Sequence, residues 1–391
     1  MSTVIGDSFA SAELRAVPGS AIRELLSLTE RRGVLSLAGG LPATELIPTQ
    51  RIAAAIDHRL ADPASMQYGP SAGTRSAREA IAAADGLSSA HQVLLTHGSQ
   101  QALFLLAHAL LDPADLVFVD DPAYIGALQV FAGVRARVEA LPITATGLDT
   151  DLLAQRLADG ARPRLVHTVS SFHNPAAVCL DEARRVRLAA LADRYGFWIV
   201  DDNPYGRVRF AGVEPTPLHV LSDRVLSLGS ASKVLAPALR VGWVSGPPEV
   251  IDAVERYRQS VDLCGSTLAH AVVGELMSDE VWWTAHLAQL VDAYSRRCGA
   301  LIDSLTTHLG ERALFAAPQG GMFCWVRVPG VNTTALLGEA VAGGVAYVPG
   351  SAFAVSMDAA DCMRLSFATL DESTLDVAVA RLAAVVAHAA S

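Results

Sequence analysis

Of the 30 basic residues in this chain of 391, one is a lysine, Lys233, and the other 29 are arginines. Chemistry that needs a side-chain amine therefore has a single candidate. Lys233 stands in Gly229-Ser230-Ala231-Ser232-Lys233-Val234-Leu235, among serines and small apolar residues, with Arg240 seven residues on. Lysines normally sit in water. One that loses its solvation has a depressed pKa, and the neutral amine can form a Schiff base with a carbonyl. The alternative is a chance survivor of arginine bias. The neighbouring hydroxyls and arginine, at the end of an apolar run, argue against it.

Other polar residues directly follow apolar runs. Gly98-Ser99-Gln100 combines a free turn, side-chain donors and a helix start whose first N–H groups lack partners. That is a phosphate cradle or, more simply, an N-cap. Tyr124 follows Asp121-Pro122 and is either a ring that stacks on a flat ligand or a half-buried loop tyrosine. Asn174 precedes Pro175, which holds it out of helical geometry, so that it aims its amide into a crevice or serves a turn. Asp201-Asp202-Asn203-Pro204-Tyr205 closes another run. Carboxylates there are costly to desolvate unless a cationic ligand atom, a metal or a turn satisfies them, and no His/Asp ligand spacing supports a metal. Taken together, these are a lysine for an imine, an aspartate for a protonated ring nitrogen, Asn and Tyr for a ring oxygen, a stacking Tyr, and Ser, Gln and Arg donors for a phosphate. Pyridoxal phosphate asks this set of groups of a protein.

The elements that must position them are legible as patterns. Short apolar runs at Val93–Leu95, Leu116–Val119, Val138–Ile143, Arg164–Val169, Phe197–Val200, Val225–Leu228 and Val241–Val244 are interleaved with helical patterns, clearest at Ser99–Leu111 and Asp181–Tyr195. This predicts an α/β fold with a mainly parallel sheet covered on both faces, and ligands of such sheets bind outside the carboxyl ends of the strands. The C-terminal third reads as a long helical stretch (about 248–308), a strand at Met322–Val328, short strands around Tyr347 and Met363–Phe367, and a final helix near 372–388. The expected division is an N-terminal arm over 1–45, a large domain over 46–250 and a smaller α+β domain over 251–391. The arm holds one expected helix, starting near Pro18-Gly19-Ser20, and the segment Gly39-Gly40-Leu41-Pro42.

Composition narrows the class. Apolar residues make up 51% and charged residues 18%, which describes a well-packed globular chain. A net charge of −10 argues against broad nucleic-acid binding, although arginines at a local phosphate site are compatible with it. Cys179, Cys264, Cys298, Cys324 and Cys362 are scattered without a Cys-x-x-Cys pair, so neither a disulfide framework nor a zinc site is expected. No signal peptide is readable, and apolar runs break well before the ~20 residues of a membrane span. A soluble cytoplasmic protein is the expectation, with no nucleic-acid or membrane partner.

The sequence resembles the fold-type I, aspartate-aminotransferase-like (class I/II) superfamily of pyridoxal-phosphate enzymes. Within it, the chain looks most like the group of 2-aminoadipate aminotransferases and the aminotransferase-like domains of MocR-type regulators. The resemblance runs through Ser20-Ala21-Ile22-Arg23-Glu24, Leu35 to Pro42, Gln67-Tyr68-Gly69, Gly98 to Leu103, Asn174-Pro175, Asp202 with Tyr205, and the Lys233 segment. It continues through Gly320-Gly321-Met322-Phe323, Val348 to Phe353 and Arg364 to Ala368.

The resemblance implies that Lys233 bonds the cofactor and later moves the proton, and that Asp202 keeps the pyridine nitrogen protonated. It implies Asn174 and Tyr205 on the phenolic oxygen, Tyr124 stacked on the ring, and Ser99, Gln100, Ser230, Ser232 and Arg240 around the phosphate. Tyr68 resembles a tyrosine that reaches the neighbouring subunit's phosphate, which implies a homodimer with shared sites. Arg364 matches the arginine that grips the substrate carboxylate, Gly40 the glycine that closes over it, and Arg23 lies on a helix that covers the substrate side chain. Departures are visible too. The usual Asn-Pro-Thr-Gly is Asn174-Pro175-Ala176-Ala177, the preceding Gln is His173, and an earlier Pro is Ser170. Glu-Asp-Asp-Pro-Tyr becomes Asp201-Asp202-Asn203-Pro204-Tyr205. His173 is then a solvent-exposed loop residue or a substrate-side contact.

The expected activity is transfer of an amino group from an L-amino acid to a 2-oxo acid by a ping-pong mechanism through a Lys233 Schiff base. By resemblance, glutamate and 2-oxoglutarate form the default couple. The second substrate is 2-aminoadipate-like, branched, aromatic or an arginine-derived amino acid of specialised metabolism. Elimination, cyclisation, decarboxylation or oxidation on the same scaffold is the nearest alternative. A sensor domain that binds the cofactor without turnover would need a winged helix-turn-helix segment ahead of it, and a nicotinamide-binding sheet would need a Gly-x-Gly-x-x-Gly after its first strands.

Overall fold

The structure is a computed structural model that describes residues 10–17, 19 and 33–389. A short strand, β1 (Leu35–Ser36), leads into a long N-terminal segment and then the central sheet. The sheet's strands are β2 (Val93–Thr96), β3 (Leu116–Asp121), β4 (Arg137–Thr144), β5 (Gly147–Leu148), β6 (Leu165–Thr168), β7 (Trp198–Asp202), β8 (Val225–Ser230) and β9 (Gly242–Ser245). Their order is β2-β9-β8-β7-β6-β3-β4-β5. The pairs β3/β4, β3/β6, β6/β7 and β7/β8 are parallel, while β9 runs against both of its neighbours and β5 turns back on β4. The apolar runs thus form the expected mainly parallel sheet. Strands β2, β3, β6 and β9 are buried along their whole length, as a sheet covered on both faces requires.

The reversed direction of β9 matters for the site. Because it is antiparallel, its amino end lies at the same edge as the carboxyl ends of β2 and β8, with Thr96 and Ser230 both opposite Gly242. Arg240, just before β9, therefore joins the loops that leave β2, β3, β6, β7 and β8.

A second sheet has the order β10-β11-β14-β13, with β10 (Leu314–Phe315), β11 (Phe323–Arg327), β13 (Val348–Pro349) and β14 (Cys362–Ser366). Strand β12 (Val345–Ala346) pairs in parallel with β1. The strand expected around Tyr347 is split at that residue, whose hydroxyl donates to the Thr333 carbonyl at 2.7 Å. The helix expected over 248–308 is instead three helices, Pro248–Gln259, Thr267–Ser278 and Glu280–His308. The breaks have local causes. The Ser266 side chain accepts from Ala269 N and that of Asp279 from Trp282 N, so each starts a new helix, and Leu263 adopts φ 65 in the first gap. The helix expected from Pro18 lies outside the described residues, which carry a five-residue helix, Ala12–Ala16, capped by Ser11.

Two elements of the site edge touch at backbone level. A Cβ added at Gly242 would fall 2.5–2.6 Å from the backbone of Gly98 and Ser99. Backbone cannot swing aside as a side chain can, so Gly242→Ala is expected to destabilise the protein by about 1–3 kcal/mol, read as a lower urea midpoint with an unchanged slope.

Candidate active site

A cavity of about 280 Å³ opens at this edge of the central sheet. It is lined by Lys233, Asp202, Tyr205, Asn174, Tyr124, Ser99, Gln100, Ser230, Ser232, Arg240, Arg364 and Gly40. The structure thus brings together the residues to which the resemblance assigns cofactor or carboxylate contacts, except Tyr68 and Arg23. Tyr68 is 80% exposed and does not line the cavity of its own chain, and Arg23 lies outside the described residues. A wider cavity, about 670 Å³, is walled by Ala176, Ala177, Arg209 and Gln319 and includes none of the expected residues. Size alone does not locate the chemistry.

Strand β8 delivers Lys233 to the cavity. Its Nζ donates to the Gly40 carbonyl at 2.7 Å and stands 5.9 Å from the Tyr205 ring centroid. Burial first, and then the Arg364 and Arg240 charges, lower its pKa to about 8, against the opposing pull of Asp202. Near neutral pH, the unprotonated fraction of this amine is far larger than that of a surface lysine.

Asp202 ends β7. Its side chain is buried, with His167 Nε2 of the adjacent β6 3.6 Å from Oδ2 and no hydrogen-bond partner for Oδ1. Across the cavity, Arg364 from β14 is buried as well. Its Nη1 donates to Asn174 Oδ1 and its Nη2 to the Ala38 carbonyl, each at 2.7 Å, while Nε has no partner. The guanidinium lies 4.1 Å from the Phe323 ring centroid and 5.0 Å from that of Phe353. Desolvation lowers its pKa to about 10, which leaves it charged at neutral pH. The bond from Arg364 fixes the Asn174 amide with its oxygen towards the arginine, leaving its NH₂ as donor. Tyr205 bonds the same amide, and burial raises its pKa. Tyr124 is raised by burial too, and its hydroxyl donates to Gln100 Oε1 at 3.0 Å. Both phenols stay protonated.

The other end of the cavity is built for an anion. Gly98, at φ 83, precedes the helix Ser99–Leu110, whose first N–H groups face the cavity edge. Arg240 is also left-handed, at φ 50, and its Nη2 donates to the His97 carbonyl at 2.8 Å. A Cβ on Gly98 would come 2.7 Å from this Nη2. Ser230 Oγ accepts from Ser232 N at 3.1 Å, so its own hydrogen remains to be donated. Behind the helix start, Gln101 Nε2 bonds Asp262, which is held by the fully buried Arg258.

One expectation is corrected. His173, read as a solvent-exposed loop residue or a substrate contact, is completely buried, does not line the cavity, and bonds Asp120 at 3.0 Å. Sequence reasoning also missed His167, although a lone histidine inside the apolar run Arg164–Val169 was a usable signal. It missed Phe323 and Phe353 beside Arg364 as well, since nothing in their local pattern sets them apart from core.

The family model for aminotransferases of class I and II matches residues 32–382. The chain belongs to this family. It is 36% identical to aromatic-amino-acid aminotransferase 1 of Thermococcus litoralis, over 96% of this chain and 94% of that protein. Among solved structures, the multiple substrate aminotransferase of Thermococcus profundus superposes with a TM-score of 0.93 at 36% identity, over 98% of each chain. The alpha-aminoadipate aminotransferase of Thermus thermophilus, solved with N-(5'-phosphopyridoxyl)-L-leucine, gives 0.90 at 31% identity over 97% of each chain. The protein is accordingly a pyridoxal-phosphate-dependent aminotransferase of the aspartate-aminotransferase-like fold.

The aminotransferase's own residues fit that cofactor. Asp202 Oδ1 is a buried acceptor without a donor, suited to a protonated ring nitrogen, and leaving it unmet is costly. The cradle around Gly98 would be filled by any larger side chain. Were pyridoxal phosphate to attach at Lys233, attachment to the apoenzyme would require the neutral amine. Its rate, followed by visible absorbance, is expected to rise with pH and level off above about 8. A rise continuing towards the ordinary lysine pKa would mean that the amine is not desolvated.

Proposed function

We propose that Lys233 carries the cofactor and moves the proton of the transfer, in a ping-pong exchange between an L-amino acid and a 2-oxo acid. The observation that carries this reading is the lone lysine amine, depressed to about 8, in one small cavity with an unsatisfied buried carboxylate and a buried arginine. When bound, pyridoxal phosphate supplies an aldehyde for amines and a protonated ring that takes up electron density. Asp202 holds a proton on the ring nitrogen. Asn174 and Tyr205 donate to the phenolic oxygen, and Tyr124 lies against the ring. Ser99, Gln100, Ser230, Ser232 and Arg240 hold the phosphate. Arg364 binds the substrate carboxylate through its planar fork, and the Gly40 segment covers it. Nζ of Lys233, neutral often enough near pH 7–8, takes a proton from the substrate α-carbon.

The exposed Tyr68 serves the phosphate of a second subunit, so the enzyme works as a homodimer. The three-part division into arm, large domain and small domain goes with it. For the amino donor we assign aromatic or 2-aminoadipate-like amino acids, following what the relatives' names state for those proteins; 2-oxoglutarate as acceptor follows from the family resemblance alone.

Two experiments test this. In Lys233→Ala, borohydride should fix no cofactor to the chain, and turnover should fall by roughly 10²–10⁴-fold; full activity would overturn the assignment. Mixing the holoenzyme with single amino acids should convert the bound cofactor's absorbance to that of pyridoxamine phosphate. Ammonia or an unsaturated product without that conversion would assign elimination instead.

A further inference from the structure

We propose that His173 and Asp120 form a buried positioning pair that sets the pose of Asn174, and through it that of Arg364. This rests on the assignment of Asn174 to the cofactor's phenolic oxygen, and it gives a role to a histidine that no step of the reaction uses.

The hydrogen bonds define the pair. His173 is fully buried, and its Nδ1 accepts from the Ala176 backbone N–H at 3.1 Å. A ring nitrogen that accepts carries no hydrogen, so the proton is on Nε2, which donates to Asp120 Oδ2 at 3.0 Å. Asp120 Oδ2 also accepts from Val169 N at 2.9 Å, where the chain leaves β6. The backbone closes the turn, with His173 N donating to the Val178 carbonyl at 2.8 Å and Ala177 N to the His173 carbonyl at 2.6 Å. One imidazole thus ties the carboxyl end of β3 to the turn that presents Asn174. The neighbouring carboxylate points elsewhere. Asp121 accepts from Val355 N, Ser356 N and Met357 N, each at 2.9 Å, and so anchors the segment beside Phe353.

The turn needs such a tie. Its two residues after Pro175 are Ala176 and Ala177, which offer neither a hydroxyl nor the freedom of glycine, and Ala177 is held at φ 61. A left-handed alanine costs about 1–2 kcal/mol, so the turn stays in this shape only where surrounding bonds hold it. Downstream, Asn174 Oδ1 receives Arg364 Nη1 at 2.7 Å. A shift of the turn therefore moves the donor for the phenolic oxygen and the arginine together.

The test reads the ionisation of bound pyridoxal phosphate, whose absorbance changes with the charge on its chromophore. A well-aimed Asn174 donor stabilises the anionic oxygen, so loosening it raises the pH midpoint of that change. In His173→Leu, the midpoint is expected to rise by about one pH unit, a tenfold change in proton affinity. His173→Gln, whose amide supplies both a donor and an acceptor, is expected to restore it. His173→Asn retains an acceptor near Ala176 N but falls short of Asp120, so it should shift as the leucine variant does, and it carries the test if His173→Leu does not fold. Folded leucine or asparagine variants with the wild-type midpoint overturn the proposal. Asn174→Ala is the control: if it too leaves the midpoint unchanged, the assignment of Asn174 fails and the proposal with it. If Asn174→Ala shifts and the His173 variants do not, only the positioning role is lost.

Discussion

The site depends on keeping one primary amine out of water beside two guanidinium groups. Lys233 is half-buried, and its amine is largely desolvated, with Arg364 and Arg240 both acting on it and Asp202 as the opposing charge. Protonation in that setting is disfavoured twice, by desolvation and by like charge, and the Gly40 carbonyl gives Nζ an acceptor in either state. The same arrangement explains why the arginines stay. With the pKa of about 10 that burial imposes, Arg364 stays charged under conditions that neutralise the lysine.

The fold delivers these opposed groups by converging loops of different origin. Parallel strands bring Asp202 and Lys233 to one edge from neighbouring positions, while the reversed β9 brings Arg240 to the same edge from the other chain direction. Arg364 comes from the second sheet and is clamped between Phe323 and Phe353. Its hydrogen bonds are to Asn174 and to Ala38 of the N-terminal segment, so this end of the cavity is assembled from three distant stretches of chain. The Glu45–Arg297 ion pair, with Arg297 also bonding the Ala368 carbonyl, fastens that N-terminal segment to the strand region carrying Arg364.

The departures from the usual family motifs fall into two physical kinds. Asn203 and Asp201 leave the cavity-lining Asp202 and Tyr205 in place. His173, Ala176 and Ala177 fall in the turn behind Asn174, where a buried imidazole bonds Asp120 of β3. Substitution has thus reached the supports of the site while the groups facing the cavity keep their chemical types.

Sequence by itself determined the residue types and their order, because each sits just after an apolar run whose period and length mark a strand. The lone lysine, the Asp202–Tyr205 pair and Gly98-Ser99 could all be read from this. It determined the mainly parallel sheet for the same reason, since unbroken runs of Val, Ile and Leu have no stable alternative to burial on both faces. The breaks at Ser266 and Asp279 were missed because helical periodicity continues across a cap, and only side-chain bonds to backbone end it. Tertiary structure alone decided which long-range partners meet. The pairing of His173 with Asp120 spans 53 residues and that of Arg364 with Asn174 spans 190, and no local pattern encodes either. Burial decided the rest, because the proton on Lys233 and the hidden position of His173 depend on how much water the packed chain leaves beside them.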